Sequence, residues 1–127
     1  MPAAYFRRMR DVKRYAVWHR SHAFASNVFS ALRRVRTQDF AGLKSQLRDS
    51  ADSIPSNIVE GCAAASQKDF ARFLDMSIKS ANETEYHLLV ARDRGALPRS
   101  VAIAFHAEVV EIRKMLYGLR RCVSADC

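Results

Sequence analysis

Apolar side chains return every three or four residues in four successive stretches of this sequence, a period that belongs to helices sharing one core and not to strands. The first stretch carries Val17, Trp18, Ala25, Val28, Phe29, Leu32 and Val35. It predicts a helix from about Tyr15 to Arg36, with Asp39 as N-cap of the next. The second stretch carries Leu43, Leu47, Ala51, Ile54 and Ile58, with Pro55 removing one backbone donor inside the helix. Ser66 and Asp69 have the spacing of a capping box and open the third helix, in which Phe70, Phe73, Leu74, Ile78, Ala81 and Leu88 recur. Gly95 and then Pro98 stop it, and Ser100 is expected to cap a fourth helix presenting Val101, Phe105, Val109, Ile112 and Leu116. Helices joined by short breaker segments are antiparallel neighbours, so the expected fold is an all-α, up-and-down four-helix bundle. Residues 1–14 lack an apolar period and read as a basic N-terminal tail, 15–123 as the bundle, and 124–127 as a frayed C-terminus.

The 127 residues are enough for one domain with its own core. No apolar run is long enough to serve as a signal peptide or to cross a bilayer, and the reading is a cytoplasmic protein without a membrane. Cys62, Cys122 and Cys127 form no Cys-x-x-Cys pair and are expected as reduced thiols. The net charge of +8 is unevenly placed: residues 1–36 hold nine Lys/Arg and one Asp, whereas residues 37–127 hold twelve of each sign. A one-signed segment of this kind attracts polyanions.

No residue pattern points to catalysis. Bundle di-iron sites use Glu-x-x-His, and here no Glu is followed three residues later by His. His19 and His22 stand three apart without a third ligand, so no metal or cofactor is expected. No Gly-x-Ser-x-Gly or phosphate-binding glycine loop occurs, and no small-molecule substrate is implied. Beside the apolar seam of the second helix runs a small or polar stripe of Gln46, Ser50, Ser53, Asn57 and Glu60. Gln46, Ser53, Asn57 and Glu60, with Glu85 on the apolar side of the third helix, are expected to form structural or interface polar contacts. Asn57 is read as an interhelical hydrogen-bonder, with Asn57, Arg48 or His22 as the partner of Glu85.

The run Ser53-Ile54-Pro55-Ser56-Asn57-Ile58-Val59-Glu60-Gly61 is unusual, as is Gly42-Leu43-Lys44-Ser45-Gln46-Leu47-Arg48 before it. Together with Lys68-Asp69-Phe70-Ala71-Arg72-Phe73-Leu74, Val17-Trp18 and Ser80-Ala81-Asn82-Glu83-Thr84-Glu85, they resemble the bacterial four-helix-bundle family of 23S ribosomal-RNA intervening-sequence proteins. The resemblance spans roughly residues 11–97. It implies an up-and-down bundle assembled as a homopentamer, an association with RNA, and no enzymatic activity. Lys79 stands where the family usually has Gly, and Cys62-Ala63-Ala64-Ala65 replaces an aromatic-glycine-basic turn.

With that context, the basic segment becomes a nucleic-acid candidate: Arg7, Arg8, Arg10, Lys13, Arg14, Arg33, Arg34 and Arg36. With only Tyr5, Phe6 and Tyr15 near enough to stack, contacts are expected mainly to phosphate. The alternative is a protein-interaction scaffold that binds no nucleic acid.

Overall fold

The computed structural model describes residues 10–36 and 38–125. Four helices, α1 (Ala16–Leu32), α2 (Ala41–Cys62), α3 (Gln67–Asp93) and α4 (Arg99–Ser124), follow in chain order, with 3-10 turns at Val12–Arg14 and Gln38–Phe40. Among the described residues there is no strand. α1 packs on α2 and α4, and α3 packs on the same two, while the backbones of the diagonal helices stay apart. Cross-helix partners run in opposite order along each pair. On α2 and α3 the matches are Ser50 with Thr84 and Ser53 with Ser80, and on α3 and α4 they are Asp75 with Arg120 and Glu85 with Arg113. The bundle is therefore up-down-up-down, as the periodicity predicts.

The core is built from the expected seams with two changes on α1, where Phe24, not named from the sequence, is buried and Phe29 is not. Phe24, Val28 and Leu32 of α1 meet Leu47, Ala51, Ile54 and Ile58 of α2, Leu74 and Leu88 of α3, and Val109, Ile112 and Leu116 of α4. The α2–α3 pair is the most extensively packed. Hydroxyl-bearing side chains line it: Thr84 donates to Ser50 at 2.9 Å, Ser80 to Ser53 at 2.8 Å, and Ser77 to the Ile54 carbonyl at 2.8 Å. At the end of α2, a Cβ on Gly61 would lie 2.8 Å from Phe70 Cδ1 and 3.0 Å from Phe73 Cβ, so α3 is seated where only glycine fits. The polar stripe on α2 thus faces the chain's own α3 at Ser50 and Ser53, and its end members Gln46 and Glu60 are exposed.

Several boundaries differ from expectation. α1 ends at Leu32, because Arg34 and Val35 close onto Ala31 and Leu32 and turn half-buried Val35 back against the core. Asp39 is not the cap of α2. The 3-10 turn Gln38–Phe40 lets Phe40 pack on the core and take the N-cap place without a side-chain bond. Pro98 rather than Ser100 precedes the first turn of α4. Ser66 does cap α3, accepting from the Asp69 amide at 3.1 Å, and Gly95 takes φ +74 just past its end. Cys62 is a free thiol whose burial pushes it up to about 11, with Arg10 acting weakly the other way. Cys122 is disulfide-bonded, so the expectation of three reduced thiols does not hold. No helix among the described residues is long and apolar enough to cross a membrane.

Candidate nucleic-acid interface

Of the eight basic residues singled out from the sequence, the six that are described do not form one surface. Arg7 and Arg8 lie outside the described residues. Arg10 is folded onto the bundle instead of standing in a tail. Its guanidinium donates to the Ala64 carbonyl at 2.8 Å and to Gln67, and lies 4.4 Å from the centre of the Phe70 ring. Tyr15 packs edge-on against the same ring at 5.8 Å. These contacts tie residues 10–15 to the α2–α3 turn and take Arg10 and Tyr15 out of the set free to meet a ligand.

Lys13 and Arg14 are exposed just before α1, whereas Arg33, Arg34 and Arg36 are exposed just after it. The 17 residues of α1 separate the two groups by about 25 Å. Arg20 lies between them but is engaged by Glu108, with both contacts at 2.8 Å. That bond holds the Glu108 carboxyl below its ordinary value and raises Arg20.

The cluster after α1 is enlarged by residues from the other helices. Arg33, Lys44 and Arg48 line one recess of about 140 Å³ with Phe29 and Leu32. Lys44 also donates to the Val35 carbonyl, which draws the start of α2 against the end of α1. Arg34 reaches a groove between α1 and α4 beside Ser100 and Val101. Arg94, past the end of α3, shares a third recess with Gln46, Tyr86 and His87. Among the described residues Arg33, Arg34, Arg36, Lys44, Arg94 and Arg99 make no ion pair, whereas Arg20, Arg72, Arg113 and Arg120 each meet a carboxylate on a helix. Arg48 and Arg92 form ion pairs only with the exposed Asp that follows each of them, and Arg48 also donates to the Ser45 hydroxyl at 3.4 Å. Phe29, expected in the core, is 47% exposed, with Arg33 5.9 Å from its ring centre. Its angular position on α1 points between α1 and α2, where no third helix covers it.

The expected polar contacts are differently partnered. Asn57 is half-buried and donates to the Ser53 carbonyl and hydroxyl at 2.9 Å, both within its own helix, so it is not an interhelical bonder. Ser53 makes the interhelical bond, to Ser80. Glu85 takes its partners from α4 rather than from Asn57, Arg48 or His22. Arg113 donates to it at 2.6 Å and His106 lies 3.1 Å away. The Arg113 bond is the main cause holding the Glu85 carboxyl below its ordinary value. His22 stacks on Trp18 with centroids 5.0 Å apart and planes 7° apart, and His19 meets the Lys13 carbonyl at 2.7 Å. Among the described residues no three His, Cys, Asp or Glu side chains are grouped as metal ligands.

The model of the 23S rRNA-intervening sequence protein family matches residues 13–118, which span all of α1 to α3 and most of α4. The chain belongs to this family. The match extends into the fourth helix, beyond the part where motif resemblance was clear, and begins after Arg7, Arg8 and Arg10. A crystal structure of an S23 ribosomal protein family member from Bacteroides thetaiotaomicron, itself described as of unknown function, is similar with a TM-score of 0.78 and 29% identity. The similarity covers 83% of this chain and 98% of that one. No curated protein matches. Neither the family description nor the structural relative carries an enzymatic assignment.

Proposed function

We propose that this intervening-sequence family member is a non-enzymatic cytoplasmic protein that assembles as a homopentamer and associates with RNA through phosphate contacts from its basic surface. The observation that carries the reading is the set of exposed cations without a carboxylate partner, Arg33, Arg34, Arg36, Arg94 and Arg99, in a chain whose family is described as 23S rRNA-intervening sequence proteins. Cations left unpaired retain their full field for a polyanion. Several copies on one particle add avidity to weak single contacts. Equilibrium binding of a structured ribosomal-RNA fragment to the full chain tests this. Affinity is expected to fall steeply with salt, by about 0.7 log units per log unit of salt for each neutralised single-strand phosphate. Salt-insensitive binding, or none at low salt, rejects the reading.

A second reading, the protein-interaction scaffold, is favoured by the groove of about 500 Å³ between α1 and α2. Trp18, Phe29, Pro55 and Val59 line it, and Phe29 and Val59 are 47% and 44% exposed. Exposed apolar area of this kind is a feature of protein contacts.

A further inference from the structure

The unpaired cations meet two exposed aromatic residues, Phe29 and Tyr86, at one end of the bundle. The C-terminus of α1, the first turns of α2, the C-terminus of α3 and the start of α4 all lie there. Charge summed along residues 37–127 cancels, but in space Glu108, Glu85 and Asp75 sit along the helix flanks as partners of Arg20, Arg113 and Arg120. The opposing charges near this end are Asp39, Asp49, Asp52 and Asp93, all four exposed, and Asp52 lines the α1–α2 groove beside Phe29. The Arg48–Asp49 contact at 3.4 Å is between exposed neighbours and is easily exchanged for a phosphate. Within the small recess Arg33, Lys44 and Arg48 share the lining with Phe29 and Leu32, and no carboxylate is among them. Cations alone favour any polyanion. An exposed aromatic ring among them adds a surface on which an unstacked base can lie, which duplexes and polyphosphate do not offer.

We propose, building on the RNA-associated reading above, that this end of the bundle binds single-stranded RNA, with Arg33, Lys44 and Arg48 on phosphates and an unpaired base stacked on Phe29. The N-terminal segment before α1 is then secondary. Arg10 is committed to the α2–α3 turn, and Lys13 and Arg14 stand at the opposite end.

The test is fluorescence anisotropy of the full chain with a 12-nucleotide uridine RNA, the matching single-stranded DNA, an RNA duplex of the same length, and polyphosphate as competitor. Arg33→Gln/Lys44→Gln/Arg48→Gln should weaken single-stranded RNA on the order of tenfold or more at moderate salt. It should also reduce the salt slope by about 2, for three lost phosphate contacts. Phe29→Ala should weaken single strands on the order of five- to tenfold, with the salt slope and the duplex affinity unchanged. Lys13→Gln/Arg14→Gln should bind nearly as the parent does. Circular dichroism and particle mass equal to the parent's establish that each variant is folded. If the triple variant binds as the parent does while Lys13→Gln/Arg14→Gln loses affinity, the placement at this end is wrong and the RNA reading survives. If Phe29→Ala weakens single strand and duplex alike, the stacked base is rejected. Phosphate and stacking contacts do not read the 2′-hydroxyl, so the DNA single strand should bind comparably to the RNA, whereas full displacement by polyphosphate at equal charge rejects a single-stranded nucleic acid as the ligand. A parent chain that binds none of the four rejects both the placement and the RNA reading.

Discussion

Asn57 illustrates how a polar side chain in the middle of an apolar helix acquires a local role. Its amide bonds back to Ser53, and Ser53 carries the contact across to α3. Asn57→Leu is therefore expected to cost less than about 1 kcal/mol, because no buried partner loses its only bond. Urea unfolding checks this, and a loss near 3 kcal/mol would contradict it. Glu85 behaves differently because Arg113 and His106 reach it from another helix. Its folded-state pKa lies below the ordinary 4.5, so its contribution is present above that value and is lost as pH falls through the folded value. The thermal midpoints of parent and Glu85→Gln should differ most above pH 4.5 and converge as pH falls below it. A gap that stays constant over that range would place the stabilisation elsewhere. The sequence marks Glu85 as a carboxylate needing a partner. Which cation supplies it is not legible, because Arg113 is on a different helix and only the pairing of α3 with α4 brings it near.

At the scale of elements, the helices are legible because their cause is local: a period of three to four, few breakers, and Ser66 and Gly95 at the ends of α3. The ends near Arg33, Phe40 and Pro98 are less so. There Val35 and Phe40 pack on the core, and tertiary burial overrides the capping preference of Asp39. The small-residue stripe on α2 is legible as a close-approach surface, but not as to which helix approaches. It meets α3 of the same chain, so it gives no support to a subunit contact. Gly61 sets that approach. In a helix interior, Gly→Ala ordinarily gains about 1 kcal/mol. Here the added methyl meets the buried ring of Phe70 and the Cβ of Phe73, and forcing them apart costs about 1–3 kcal/mol. The clash outweighs the propensity, and Gly61→Ala should lower the urea midpoint. An unchanged or raised midpoint would mean that α3 slides without cost.

For the whole molecule, the basic surface was legible in amount and not in place. Summing charge along the chain assigns the excess to residues 1–36, yet folding pins Arg10, pairs Arg20, and gathers Arg33, Lys44, Arg48 and Arg94 from three helices at one end. Residues distant in sequence share a surface only once the up-down-up-down order is set. The exposure of Phe29 is not legible for a related reason. The period places it on the apolar side of α1, but whether a neighbour covers it depends on the packing of the other helices. The proposed pentamer is checked by light scattering across micromolar concentrations. Five times the 14.4 kDa chain mass is expected, and a monomer mass throughout would remove the avidity on which useful affinity rests.

The most direct measurement of the central claim is ultraviolet crosslinking in cells, followed by purification of the protein under denaturing conditions and mass spectrometry of its RNA-bearing peptides. The account predicts covalent RNA above the uncrosslinked control, with adducts concentrated on peptides spanning residues 29–48. Recovery of no RNA above that control, from cells in which the protein is abundant and folded, would contradict it.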